Sequence, residues 1–494
     1  MLFNSLQFLL FFLPVTLLIF HFGPSRHFKI ITLLGSSLVF YAYWDVSYLF
    51  LLVSSILFNF GVAKFLSRHR SKGLLWFGIL ANLACLGYYK YWGLFLGTIN
   101  SITSFDFKIA SITLPLAISF FTFQQISLLI DSYHQRTKPA NLLNYATYVS
   151  FFPQLIAGPI VRFTDLGVQL ATATLRPNRE SLISGFTILI IGLFKKTAIA
   201  DYFGGLSRPI FSFIDSGYTP GAGEAWWANA TYAVQLYFDF SGYSDIAIGL
   251  ALLFGLRLPI NFLSPYKATS IADFWKTWHI TLTAFFTQYL YLPIALRTRI
   301  HSLLGHSLLT IFVMSLVGLW HGASWNFLIW GFIHGAYLTV SRLLPKPANR
   351  VTSAALKQTL ILLGRAKVFA LLVLSYPFFR IDQFSRAKET LFSMFGFYPS
   401  RSESRFFPSP ETPLEVAISP LQVIFFGLAL LILWYGPSSS FLAGYNEKSD
   451  RPLPPFASDN IRLAIASIVL GILLAISIIN IIVGAESEFL YFQF

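Results

Sequence analysis

The sequence predicts an all-α polytopic membrane protein, and three observations carry that prediction. Of its 494 residues 55% are hydrophobic, 18% aromatic and 11% charged, with mean hydropathy +0.64, whereas soluble domains carry about 25% charged residues. Apolar runs near the ~20 residues that cross a bilayer as a helix recur at 2–22, 28–44, 46–66, 182–200, 303–320, 354–379, 421–436 and 461–483. Lysine and arginine gather in short connections such as GPSRHFK and AKFLSRHRSK. By span length, roughly 11 to 14 transmembrane or re-entrant helices fit the chain.

The first run, Met1 to Phe22, lacks a basic leading region and a small-residue cleavage site, and more spans follow it, so it reads as a retained helix. The basic connections after the first and third helices lie on one side of the membrane, because two spans separate them. Positive-inside logic makes that side cytoplasmic and puts the N-terminus outside. The formal net charge of +14 is then topology and attraction to anionic lipids, not a nucleic-acid surface. Cys85, the single cysteine, lies in the apolar run GILANLACLGYY. No intrachain disulfide is possible, and the residue reads as a small buried hydrophobe.

The first ~100 residues read as four ordinary helices of spanning length. From 112 onward polar residues enter the apolar runs: LPLAISFFTFQQISLLID carries Gln124 and Gln125, and AVQLYFDFSGYSDIAIGLALLFGL carries Asp239 and Asp245. Ionisable groups at membrane depth are costly and face a protein interior or a wet cavity. FFPQLIAGPIVR (151–162), broken by Pro153, Gly158 and Pro159, suits a re-entrant or interfacial segment. Residues 201–228, rich in Gly and Pro and ending on Trp226–Trp227, read as an external or interfacial loop, and 397–420 and 437–459 as further loops. There is no repeat of 20 to 50 residues and no second soluble domain.

Three segments concentrate polar chemistry: YFDFSGYSD (237–245), DFWKTWH (273–279) and GLWHGASWN (318–326). The first is either a polar hinge, bent at Gly242 with Asp239 or Asp245 capping a half-helix, or the lining of a site. In the second, helical spacing sets Asp273, Lys276 and His279 three apart, on part of one face. A charged Lys276 nearby would favour neutral His279, the form that accepts a proton. The same segment also fits an interfacial helix with a snorkelling Lys276 and headgroup-level Trp275 and Trp278.

In the third, no charge surrounds His321, which places it deep. Gly318, Gly322 and Ala323 remove bulk beside it, while Trp320, Ser324, Trp325 and Asn326 are positioned to wall a cavity. Such an imidazole is either a satisfied core residue or a base that takes a proton from a hydroxyl nucleophile in acyl transfer. His334, thirteen residues on, is its closest rival; the other histidines lie near span ends or loops. No HExxH, CxxC or carboxylate cluster has metal-ligand spacing, and no Gly-x-Ser-x-Gly elbow or phosphate-binding loop occurs.

LPLAISFFTFQQISLLID, FFPQLIAGPIVRFTDL, QLYFDFSGYSDIAIGLALLFG, DFWKTWHITLTAFFTQYLYLPI and GLWHGASWNFLIWG, in that order, together resemble the membrane-bound O-acyltransferases. The likeness runs from MLFNSLQFLLFFLP to the final FLYFQF and is strongest to members that serve O-acetylation of alginate and peptidoglycan. It implies one membrane-embedded acyltransferase domain over 1–494, with helices arranged around a central funnel: N-terminal helices to 110, a catalytic core over 111–345, and C-terminal helices with an aromatic tail over 346–494. It implies that His321 and His279 are catalytic, with Trp278, Lys276, Asp239, Asp245, Trp320, Ser324 and Asn326 as site-lining candidates. No cofactor is held. Acetyl-CoA is the implied donor, reached from the cytoplasmic face of a bacterial inner membrane, and a periplasmic acetyl-transferring enzyme acting on a polysaccharide is the implied partner.

The sequence departs from the alginate pattern around the second histidine. Lys276-Thr277-Trp278-His279 stands for Arg-Arg-Trp-His, and FFTQYLYLPIALRTRI for a Leu-Arg-Asp-Tyr-Leu-Tyr stretch with a Gly-Gly-Asn-Arg loop. Acyl transfer is thus a firmer expectation than alginate as acceptor. The tyrosine-bearing ending suggests that Tyr491 relays the acyl group, a tyrosine hydroxyl being a reasonable covalent carrier. Transfer of D-alanine, and a transporter that forms no bond, are the other readings.

Overall fold

The computed structural model describes residues 1–103, 107–108, 112–138, 141–156, 158–344, 353–398, 418–447, 454–484, 487 and 489–490, and among them there is no strand. In chain order the principal helices are α1 (Phe8–Phe22), α2 (Arg26–Ala42), α3 (Val46–Leu66), α4 (72–102), α5 (Ile118–Tyr133), α6 (Leu142–Ser150) and α7 (Arg179–Asp215). They continue with α8 (Ala222–Leu253), α9 (Ile271–Trp275), α10 (280–297), α11 (Leu303–His321), α12 (Trp325–Leu343), α13 (Ala354–Ser375), α14 (Phe384–Ser393), α15 (Pro420–Tyr435) and α16 (Asn460–Val483). Five of these, α3, α7, α11, α13 and α16, are long and apolar enough to cross a membrane, and α1 and α15 are shorter apolar helices. Together with the composition they make the chain a multi-pass membrane protein. Short polar residues between the apolar runs start the helices: Ser25, Asp45, Ser71, Ser302 and Ser324 each accept a backbone N–H of the first turn.

Contacts divide the chain into two compact units, one of residues 1–198, 240–261 and 439–493, the other of 199–239 and 262–438. The first has an aromatic core in which Phe12 meets Phe152 edge-on at 5.3 Å and Phe40 packs on Phe3, Phe8, Phe12 and Phe152. Its polar residues join helices, as intramembrane amides do. Asn59 and Asn82 exchange amide hydrogen bonds between α3 and α4. Gln125 donates to the Ser55 hydroxyl at 2.8 Å and accepts from Tyr145 at 3.0 Å.

The early half of α7 crosses the later half of α8 on two pairs of glycines, each pair seven residues apart. A Cβ on Gly192 would stand 2.7 Å from the Gly242 carbonyl oxygen, and one on Gly249 2.7 Å from that of Gly185. Gly242 therefore serves close approach. The expected hinge at 237–245 is absent: α8 runs through it unbroken, so neither Asp239 nor Asp245 caps a half-helix. The segment 151–162 is irregular, as its prolines foretell. Its described residues are covered by protein, with Tyr148 donating to the Val161 carbonyl and the Phe152 N–H to Ser37, which meets the requirement for broken backbone at membrane depth.

In the second unit the loop expected over 201–228 shrinks to 216–221. Residues 201–215 continue α7 with Pro209 inside it, and Trp226 and Trp227 lie in the first turns of α8. Burial of Phe203, Ile210, Phe211 and Ile214 along one helical stripe outweighs the glycine and proline content. The hairpin α11–α12 dominates this unit. Its backbones touch, since a Cβ on Gly318 would collide with the Phe327 carbonyl, one on Gly331 with that of Met314, and one on Gly335 would stand 2.6 Å from the Ile311 Cα.

Candidate active site

His321 is the last residue of α11, a 19-residue helix, and Gly322 leaves the helix in extended conformation before Ser324 caps α12. At 1.5 Å per residue the helix spans about 28 Å, so the ring stands at one end of a span. His321 is buried, 4% exposed, because rings enclose it. Trp320, Trp330 and Phe379 lie at centroid distances of 5.0, 5.3 and 5.4 Å. Gly322 makes room for Phe327, whose ring a Cβ there would strike and which packs in turn on Phe379 at 5.2 Å.

His279 reaches the same cluster from a broken segment. Helix α9 stops at Trp275, and His279 takes left-handed backbone angles, φ 44° and ψ 54°, before α10 begins. For a residue with a side chain that conformation costs about 1–2 kcal/mol and persists where surrounding structure enforces it; here Leu263 N–H donates to the Thr277 carbonyl at 3.0 Å. The ring is fully buried, stacked with Phe262 at 6.3 Å and 6.0 Å from Trp320. One indole, Trp320, thus touches both imidazoles. The expected common face of Asp273, Lys276 and His279 does not form. Lys276 pairs with Asp273 at 3.0 Å, with its side chain 70% exposed, while the left-handed step turns His279 inward.

The remaining candidates separate. Trp278 is buried against Phe274, Phe262 and Tyr237. Asn326 is buried, and its amide N–H groups hold the Ile381 and Asp382 carbonyls at 2.7 and 2.9 Å. Ser324 accepts the Phe327 N–H as the cap of α12. Trp325 is 52% exposed. Asp239 is buried in this unit. Asp245 belongs to the other unit, where it pairs with Lys195 at 2.7 Å. Tyr491 lies outside the described residues.

His334, the rival, has its hydrogen bonds spoken for. Trp275 meets its Nδ1 at 3.3 Å, and since an indole only donates, the imidazole proton is on Nε2. Nε2 donates to Ser375 Oγ at 3.1 Å, and Ser375 to the Leu372 carbonyl at 2.7 Å. Local sequence reasoning missed Trp330, Phe379 and Lys195. Only Trp330 carried a signal, since it lies four residues from Asn326 and four from His334 on one face of α12.

The family model for MBOAT, the membrane-bound O-acyltransferase family, matches residues 111–375, a range that holds both histidines. The chain belongs to the membrane-bound O-acyltransferase family. It is an acyltransferase, which makes a hydroxyl-activating base in an aromatic enclosure chemically apt. The chain is 38% identical to a peptidoglycan O-acetyltransferase of Helicobacter pylori over 80% of each sequence, and 33% identical to a probable alginate O-acetylase AlgI of Azotobacter vinelandii over the whole of both. A teichoic acid D-alanyltransferase of Bacillus subtilis is 27% identical, over 48% of this chain and 63% of its own.

Proposed function

We propose that this acyltransferase is an inner-membrane O-acetyltransferase that passes an acetyl group from cytoplasmic acetyl-CoA to the outside, for O-acetylation of a polysaccharide of the alginate or peptidoglycan type. The observation that supports it most is the position of His321 at the turn of the α11–α12 hairpin. Arg297 and Arg299 precede α11 and Arg342 stands in the last turn of α12. Positive-inside logic assigns that arginine end to the cytoplasm and the His321 end to the outer side, so the base stands where an external acceptor arrives. The same logic puts the N-terminus outside. The relatives that cover most of the chain are acetylating enzymes, which favours acetate over D-alanine.

In this reading His321 takes the proton of the acceptor hydroxyl as its oxygen bonds to the acetyl carbon. The tetrahedral intermediate then expels the CoA thiolate, which takes that proton. General-base help of this kind is worth about 10²- to 10⁴-fold. His279, fixed by its left-handed backbone against Trp320, orients the reactants. The hydroxyl that accepts the acetyl group in this reading is that of Tyr491, in the aromatic tail, which carries it as an ester until a periplasmic enzyme moves it to the polymer. Residues just before it are anchored, with Phe489 edge-on to Tyr243 at 4.2 Å and beneath the Lys196 ammonium at 4.9 Å.

Purified protein given acetyl-CoA labelled in the acetyl group should release free CoA and yield labelled protein or acceptor. No CoA release above the buffer rate, with a glycan of unchanged acetylation in a strain lacking the protein, would overturn the reading. Tyr491→Phe should abolish the protein-bound label and polymer acetylation while acetyl-CoA still binds; undiminished label on that variant rejects the relay alone.

A further inference from the structure

Two buried polar atoms of α12, the helix that follows His321, have no hydrogen-bond partner among the described residues: Nε1 of Trp330, a residue 4% exposed, and Oδ1 of Asn326, 2% exposed. The orientation of Asn326 is fixed by chemistry, because both neighbours of its nitrogen are carbonyl oxygens and can only accept. The open atom is therefore an acceptor, and that of Trp330 is a donor. A buried donor or acceptor left unpaired costs about 1–3 kcal/mol, and folded proteins keep few of them.

Both belong to one face of α12, a single turn apart. Farther along that face His334 is closed off by Trp275 and Ser375. Trp330 is held on three sides, 4.5 Å from His334, 4.9 Å from Phe379 and 6.0 Å from Trp275. On the fourth it meets His321 at 5.3 Å, the ring planes at 87°. Gly331, next in the chain, locks this turn against α11. The donor is thus desolvated, held by its neighbours and carried by a ring in contact with the base, and preorganised, desolvated donors are what stabilise charge that develops beside them.

We propose that Trp330 is a further catalytic residue, its indole N–H donating to the acyl carbonyl oxygen as that oxygen becomes an oxyanion. This rests on the acyl-transfer role of His321 given above. As the acceptor oxygen bonds to the carbonyl carbon and His321 takes its proton, the carbonyl π electrons move onto oxygen, where the indole hydrogen bond stabilises them. When the thiolate leaves, the carbonyl re-forms and the bond weakens.

The test replaces Trp330 alone, in the full chain, with benzothienylalanine, which keeps the bicyclic shape and puts sulfur in place of N–H; Trp330→Phe accompanies it. CoA release is followed over a range of acetyl-CoA concentrations, with thermal unfolding as the check on folding. The analogue should lower kcat and kcat/KM together by about 10²- to 10³-fold, the loss seen when one such donor is removed, at an unchanged melting temperature. Wild-type turnover by the analogue overturns the proposal and leaves the acyl-transfer reading standing, even where Trp330→Phe fails to fold. No CoA release by the unsubstituted chain overturns both.

Discussion

His321→Phe should lower the rate of acyl transfer by about 10²- to 10⁴-fold, the worth of a positioned general base, and leave the hairpin folded. His321 touches Trp320, Trp330 and Phe379 through its ring faces and edges, and a phenyl ring preserves those contacts while removing both nitrogens. His321→Ala also loses the base but opens a cavity among these three rings, where truncating an aromatic costs about 3–5 kcal/mol. The two variants should therefore share the catalytic defect and differ in stability. Initial rates of CoA release beside thermal unfolding separate the terms. Retention of wild-type turnover by His321→Phe removes the imidazole from the mechanism and returns His321 to the role of a core residue.

Much of the fold was legible because hydropathy is additive along a helix. The runs 28–44, 46–66, 303–320, 421–436 and 461–483 lie within two residues of α2, α3, α11, α15 and α16. Reading failed where a local rule competed with burial. Glycine and proline in 201–228 signal a loop, yet the apolar stripe Phe203, Ile210, Phe211, Ile214 holds a helix. The glycine and serines of 237–245 resemble a hinge, but Gly242 and Gly249 are spaced to meet Gly192 and Gly185 of another helix, a relation that local patterning does not display.

At the site, the small residues around His321 were informative because small residues mark close backbone approach, which is how α12 reaches α11. The neutral neighbours of His321 predicted its burial, while the rings that enclose it, Trp330 and Phe379, come from other parts of the chain and are not visible in the local pattern. The geometry of His279 was hidden for a different reason. Spacing arguments assume a continuous helix, and no glycine announces the left-handed angles that turn the ring from Lys276. Lys195 escaped notice because its partner is fifty residues away in sequence.

That partner gives the second large effect. Lys195→Met or Asp245→Leu alone should destabilise the protein by about 3–5 kcal/mol, while the double substitution should recover most of the loss. The pair is short, 2.7 Å from Nζ to Oδ2, with the side chains 12% and 11% exposed, and Lys195 also reaches Ser241 at 3.3 Å. It sits at the glycine crossing of α7 and α8, where the Lys195 Cβ is 3.2 Å from the place a Gly242 Cβ would occupy. Removing one partner leaves an uncompensated buried charge; removing both replaces it with apolar contact. Unfolding of the four proteins in detergent closes the cycle, and additive losses in the double variant would show that each charge is held by other groups. Activity in that double variant then decides whether Asp245 lines a site, one of its readings from the sequence, or only joins the two helices. Recovered stability with recovered acetyl transfer makes the pair interhelical glue; recovered stability without it makes the carboxylate part of the path an acyl group follows.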